Sequence, residues 1–346
     1  MSSLGPGLAL KSGMRKSIFI ILSLTFSVST FAFTEEALNS RFASWGVDPE
    51  KKEASIKVKE GWTKFKKNKD IVVAVIDTGI QWDHPYLKEN IFVPKGEVSS
   101  SNFGADFSNS QSSFMPTDLH GHGTHIAGVV KSVHPGVKIL AIKYHNPNAS
   151  GEANLASTIK AIKYAIEQNV DIINYSAGGS TASLEELAVL KLAERKGILV
   201  VAAAGNEHSN IDDKRNAFYP ASYGLSNIIT VGAHDESLNI ISASNFGRHS
   251  VDIAAPGLRI RGPIPGNGAA YMTGTSQATA FVTGVAALIK AKHPSMKYTQ
   301  VKNIILSSSQ RVRNFEGKIF GAGKLDAVGA MELADRSGVN RAVANQ

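Results

Sequence analysis

Three short stretches of this sequence carry side chains suited to nucleophilic catalysis, and each has a duller reading when taken alone. Asp77-Thr78-Gly79 places a carboxylate directly after the apolar run 71–76 (IVVAVI), where a rigid element would hold it and glycine lets the chain turn sharply. Asp-Thr-Gly also marks aspartic proteases, which need two carboxylates sharing one proton. No second Asp-Thr-Gly or Asp-Ser-Gly occurs here, which disfavours that chemistry. His120-Gly121-His122-Gly123-Thr124-His125 sets three histidines in six residues. A metal reading is weakened by Thr124, which stands where a His-x-His-x-Asp-His hydrolase needs aspartate, and by the lack of a His-Glu-x-x-His pair. A lone surface histidine fits poorly with the flanking glycines, which let a backbone crowd a ligand at a helix start.

Gly274-Thr275-Ser276-Gln277-Ala278 opens an apolar, helical stretch. A serine there is most often only an N-cap. As a nucleophile it would be well placed, because backbone N–H groups at a helix start can hold an oxyanion. The pattern is not Gly-x-Ser-x-Gly, so an α/β-hydrolase is disfavoured. Ala204-Gly205-Asn206 follows the apolar run 198–204 (ILVVAAA) and offers a side-chain amide as a second oxyanion donor; by itself Asn206 would be a turn residue.

Such groups act only if rigid elements bring them together. From about Ile71 the chain alternates short runs rich in β-branched residues with amphipathic stretches. The runs 71–76, 137–142, 170–175, 198–204 and 227–233 read as buried parallel strands. Residues 122–131, 153–168, 183–196, 276–290 and 298–308 have helical spacing. Leu155, Ile159, Ile162 and Ile166, for example, share one face. The alternation predicts an α/β fold, a doubly wound, mostly parallel sheet with helices on both faces. In such sheets ligands gather at the carboxyl ends of the strands, where Asp77 and Asn206 are expected. No internal repeat or composition break follows residue 70, so one domain fits better than two.

The 346 residues are 43% hydrophobic, enough for a sizeable core. There is no cysteine, which excludes disulfides, thiolate nucleophiles and Cys-ligated metals. Residues 17–33 are uncharged and mostly apolar, Arg15 and Lys16 stand just before them, and Thr30-Phe31-Ala32 offers small residues where a signal peptidase inspects. This reads as a signal peptide, residues 1–32, with Met14 as an alternative start. An uncleaved anchor is the competing reading, but the stretch is short for a span of about 20 residues. Removing the three cations of this segment (Lys11, Arg15, Lys16) from the net +8 leaves +5. The only dense basic run, 64–69, reads as a solvated face, so no nucleic-acid partner is expected.

Asp77, His122, Asn206 and Ser276, in that chain order, resemble the subtilases, the subtilisin-like serine proteases. The resemblance covers roughly residues 45–334 and includes VAVIDTGI, HGTHIAG, VDIINYSAGG, VVAAAGNE, ASNFG, DIAAPG and GTSQA in family order. It implies that Asp77 orients His122, that His122 is general base and then acid, and that Ser276 attacks the carbonyl. Asn206 and the Ser276 N–H would bind the oxyanion. Ser176-Ala177-Gly178 and Ala149-Ser150-Gly151 would be the two edges between which an extended substrate lies as an added strand. Gly205 is grouped with these substrate-binding residues. Phe218, just before Tyr219-Pro220, would form the pocket floor for the side chain preceding the scissile bond, giving a shallow pocket for Ala, Val or Leu. Asp212 and Asp213 would favour a basic residue there if they turned inward.

Three departures from the family pattern stand out. The usual Ser-Met-Ala-x-Pro is Ser276-Gln277-Ala278-Thr279-Ala280. A common calcium site is expected to be absent, because Tyr86 follows His84-Pro85 where the family has an aspartate and no loop interrupts the helix after His122. Only about a dozen residues separate Ala32 from Trp45, too few for the long pro-region of many relatives.

The sequence thus predicts a secreted serine endopeptidase: a signal peptide 1–32, a short segment 33–44 and one catalytic domain 45–346. It should act on proteins or peptides, need no cofactor, stay monomeric and keep no stable membrane association once the signal is removed. The alternatives are an inactive subtilase-like peptide-binding domain, which a fluorophosphonate label on Ser276 would expose, and a His-ligated zinc hydrolase, which a chelator would expose.

Overall fold

A computed structural model describes residues 40–51, 53–63, 65–94, 102–109 and 113–344; the signal-peptide expectation lies outside them. Eleven strands occur among these residues: β1 (Val72–Asp77), β2 (Gly104–Asp106), β3 (Lys138–Lys143), β4 (Ile172–Tyr175), β5 (Leu199–Ala203), β6 (Ile228–His234), β7 (Ile253–Pro256), β8 (Ile260–Ile264), β9 (Gly268–Met272), β10 (Gln310–Arg311) and β11 (Gly323–Lys324). The helices are α1 (Val58–Thr63), α2 (His122–Val133), α3 (Gly151–Glu167), α4 (Leu184–Arg195), α5 (Thr275–Lys292), α6 (Tyr298–Ser307) and α7 (Ala327–Ala344).

Nine strands form one sheet in the order β10-β11-β7-β6-β5-β4-β1-β3-β2, parallel except for the β10–β11 pair, and β8 with β9 makes a separate hairpin. The period-2 alternation of strands explains the layering. Val73 and Val75 of β1 face a core shared with α2, α5, α6 and α7, while Ala74 and Ile76 face one shared with α3 and α4. Both sheet faces are therefore covered, which is why the strands read as continuous apolar runs.

All five strands and five helices expected from the sequence are present, with ends shifted by two residues at most. Sequence periodicity missed α1, β2, β7, the β8–β9 hairpin, the two-residue strands β10 and β11, and α7. β2 has three residues and β7 four, too short for a periodic signal. β8 carries Pro263, and α7 contains two glycines and many alanines, so neither shows a clean pattern. From the basic run, Lys67 pairs with Asp70 and Lys69 with Asp171, as a solvated face would.

Candidate active site

The register puts the site together. Tyr175 lies opposite both Ile76 and Ala202, and Ala203 opposite Val231, so β1, β4 and β5 end side by side. Asp77, Ser176 and Asn206 leave those neighbouring ends. The α5 N-terminus, with Ser276 as its second residue, points at the same edge.

Asp77 is buried, 2% exposed, and its Oδ1 accepts hydrogen bonds from Thr78 N at 2.8 Å and from His122 Nδ1 at 2.7 Å. A carboxylate can only accept, so Nδ1 carries the proton and neutral His122 presents Nε2 as an acceptor. Burial works to lower the pKa of His122, but the charge and hydrogen bond of Asp77, with the nearby charge of Asp118, outweigh it and raise the value above 6.5. Gly123 makes the approach possible: a Cβ there would sit 2.0 Å from Gly79 O and 3.1 Å from Asp77 Cβ.

Asp118, which the sequence reading passed over, holds this corner. It is 3% exposed; its Oδ1 accepts from Thr78 Oγ1, His120 N and Gly121 N, and its Oδ2 from Thr124 N and Oγ1, all at 2.7–3.0 Å. Sequence spacing carries little signal for it, because Gly121 holds the N-cap position and Asp118 reaches the first N–H groups of α2 from three residues further back.

The three clustered histidines go to three environments. His125 is fully buried, its Nε2 bonded to Ile260 O, and burial lowers its pKa to about 4. His122 meets Asp77, and His120 is exposed.

Ser276 is 7% exposed, and its Oγ donates to Ser176 O at 3.0 Å rather than to His122 Nε2. Ser176 Oγ in turn donates to Ser276 O at 3.2 Å. Behind it runs a buried series with every donor facing the same way: Thr283 Oγ1 to Asn174 Oδ1 at 2.8 Å, and Asn174 Nδ2 to Ser176 Oγ at 2.8 Å. Asn206 Oδ1 accepts from Thr275 N at 2.9 Å and Thr275 Oγ1 at 3.2 Å. That fixes the amide and leaves Nδ2 without a hydrogen-bond partner among the described residues. Asn245 pins the loop around it, donating to Ala204 O and accepting from Glu207 N and Ser209 N.

The other expected substrate residues flank this centre. Ala177 and Gly178 follow Ser176 at the surface, and Gly179 exchanges backbone hydrogen bonds with Tyr219 at 2.8 and 3.0 Å. Ala149, Ser150 and Gly151 lie beyond β3, where the Ser150 side chain caps α3 by accepting from Ala153 N. Phe218 is 9% exposed and packs with Ala204, Ile211 and Ala221. Its ring also abuts the two backbones expected to line the pocket: a Cβ at Gly178 would come within 2.4 Å of it, and one at Gly205 within 3.0 Å. Asp212 and Asp213 do not turn toward it. Asp212 accepts from the backbone N–H groups of His249 and Ser250, and Asp213 pairs with Arg215.

At Tyr86, where the sequence departs from the calcium pattern expected of the family, the chain places a cation of its own. Lys131 Nζ lies 4.3 Å from the centre of the Tyr86 ring and donates to Tyr86 O at 2.5 Å, and α2 runs unbroken to Val133. An ammonium and a tyrosine do not fit a hard cation that seeks several oxygens.

The sequence matches the Subtilase family over residues 68–323. Among curated proteins, it is similar to the major intracellular serine protease of Bacillus subtilis (strain 168), 36% identical over 246 residues that make up 68% of this chain and 73% of that protein. It is likewise 35% identical to subtilisin DY of Bacillus licheniformis over 252 residues, 70% of this chain and 85% of that protein. Among solved structures, a chain described under "Structural basis of subtilase cytotoxin SubAB assembly" shares the fold with a TM-score of 0.70 at 24% identity, over 82% of this chain and 96% of that one.

Proposed function

The chain belongs to the subtilase family of serine endopeptidases, and from that premise we propose that it hydrolyses peptide bonds through Asp77, His122 and Ser276 by way of an acyl-enzyme. Substrate enters as an extended strand, and the Ser276 hydroxyl turns from Ser176 O to His122 Nε2. His122 accepts its proton as Oγ attacks the carbonyl carbon, and Asp77 stabilises the imidazolium. Asn206 Nδ2 and the Ser276 N–H receive the oxyanion. As the C–N bond breaks, His122 returns the proton to the leaving amine, and water then cleaves the ester by the same steps. The observation that carries this reading is the 2.7 Å hydrogen bond from His122 Nδ1 to Asp77, which sets Nε2 to act as a base.

Fluorophosphonate labelling of the purified protein tests it. The label should appear on Ser276, and Ser276→Ala should lose both label and peptidase activity while keeping its fold. Double mutants of the triad should be little worse than single ones, because the groups act as a unit. An unlabelled, well-folded wild type that still binds peptides would instead establish an inactive peptide-binding domain.

We further propose that residues 1–32 direct secretion, that the mature protein is a monomer without stable membrane association, and that it needs no cofactor. Among the described residues no helix is long and apolar enough to cross a membrane. N-terminal sequencing of exported protein and its sedimentation mass check the first two points.

A further inference from the structure

Beside the catalytic dyad, on the flank away from Phe218, stand two histidines that the mechanism does not use. His120 occupies the turn before α2, its backbone N–H held by Asp118 at 3.0 Å. His145 follows β3, and the Tyr144 N–H next to it is bonded to Asp77 O at 3.0 Å. Both imidazoles are thus mounted on rigid strand and helix ends. The ring of His120 lies 6.3 Å, centre to centre, from the ring of His122 and 6.3 Å from that of His145. Neither His120 nor His145 forms a side-chain hydrogen bond within the described residues. Their ring N–H donors therefore remain open to a ligand.

The sheet order determines what reaches them. Gly178 and Gly205, against which Phe218 packs, follow β4 and β5 on one side of β1, whereas His145 follows β3 on the other. In an extended peptide, successive side chains point to opposite sides. If the residue whose carbonyl is attacked sends its side chain toward Phe218, the residue immediately before it sends its own toward His122, His120 and His145. Two open imidazole N–H donors at that position favour a hydrogen-bond acceptor. Burial, then the neighbouring His120, hold the pKa of His145 below 6.5; His122 and Lys143 act in the same direction, and only the buried Asp77 opposes them. Asp77 and Asp118 are already engaged by His122 and by the loop N–H groups. The Tyr144 ring, 5.9 Å from His145, closes one side.

Building on the serine-endopeptidase reading, we propose that His120 and His145 form a receptor for a carboxylate side chain, so that the substrate carries Glu or Asp immediately before the residue whose carbonyl is cleaved. Two imidazole N–H groups at this separation can each donate to one carboxylate, and charge-assisted bonds of that kind are about twice as strong as neutral ones. An amide of the same shape gains less, and a lysine ammonium, which can only donate, offers these N–H groups no acceptor.

The test uses the purified full-length mature protein and peptides identical except for Glu, Gln, Leu or Lys at that position. The wild type should cleave the Glu peptide with kcat/KM about tenfold above the Gln peptide, the difference lying mainly in KM, and should cleave the Lys peptide worst. His145→Gln with His120→Gln should bring the Glu/Gln ratio close to one, and His145→Glu should invert the order in favour of Lys. These are ratios within one protein, so an overall loss of rate cancels. Equal cleavage of Glu and Gln peptides by the wild type, or an unchanged ratio in the double variant, overturns the receptor while leaving the peptidase reading intact. Wild type that neither cleaves any peptide nor takes a fluorophosphonate overturns both.

Discussion

Ser176 and Ser276 grip each other reciprocally: each hydroxyl donates to the other's carbonyl, at 3.2 and 3.0 Å. The Ser276 hydroxyl therefore rests against the edge proposed to carry the substrate. The buried series Thr283–Asn174–Ser176 reaches through the core to support that grip.

Thr283→Val keeps the shape and removes only the first donor, leaving Asn174 Oδ1 buried without its partner. The expected cost is about 1–3 kcal/mol of stability, seen as a lower melting temperature. The placement of Ser276 should suffer with it, so kcat should fall while KM holds. A variant with unchanged melting temperature and kcat would show that the series carries no load.

The pH dependence follows from the raised pKa of His122. Catalysis needs the neutral ring, so the acid limb of kcat/KM should lie above pH 6.5. The sign for stability is opposite. A pKa raised by folding means that protonated His122 favours the native state below pH 6.5, a contribution lost as pH climbs through the folded value. Activity should thus appear over the window in which that increment fades. Asp77→Asn should move the limb to lower pH and cut kcat by roughly 10⁴; a limb that does not move would mean that Asp77 does not set it.

Asn206→Ala removes an amide fixed by Thr275 and proposed to donate to the oxyanion. The expected loss is about 10²–10³ in kcat, the range known for losing this donor from a subtilisin, with KM little altered. A change confined to KM would make Asn206 a pocket wall.

Phe218→Gly should deepen the pocket beneath Gly178 and Gly205. The wild type should prefer Ala, Val or Leu at the residue preceding the scissile bond, and the variant should gain on Phe peptides by about 10-fold or more. An unchanged ranking of kcat/KM would return Phe218 to a purely packing role.

Lys131→Ala should lower the melting temperature, by about 1–2 kcal/mol of stability, because it removes a cation held over the Tyr86 ring and on its carbonyl. Chelation of calcium should leave the wild-type melting temperature in place. Destabilisation by chelator with no effect of the mutation would reverse the assignment.

The four central residues were legible because each stands near a strand end or helix start within two residues of a glycine, a combination that survives in one dimension. Their supports were not. Thr283 and Asn174 are 109 positions apart and meet only when α5 packs on β4. Asn245 was visible as part of a family pattern but acquired a role only when its loop closed on Ala204. The three histidines of 120–125 looked like one cluster, yet helix geometry turned His125 into the core and left His120 facing outward. His145 entered the picture only because β3 lies beside β1, which sequence spacing does not convey.

Apart from Lys292 at its end, every residue of α5 is buried, enclosed by the sheet on one side and by α2, α6 and α7 around it. A helix walled in this way docks only when most of its surroundings exist. The ribosome delivers the Asp77–His122 half of the chain first, whereas Ser276 arrives with a segment that has no stable place until the core is nearly complete. Truncated or half-folded products would thus have a base without a nucleophile, and the cell that makes a peptide-cutting protein would be shielded from its unfinished copies by the order of assembly alone.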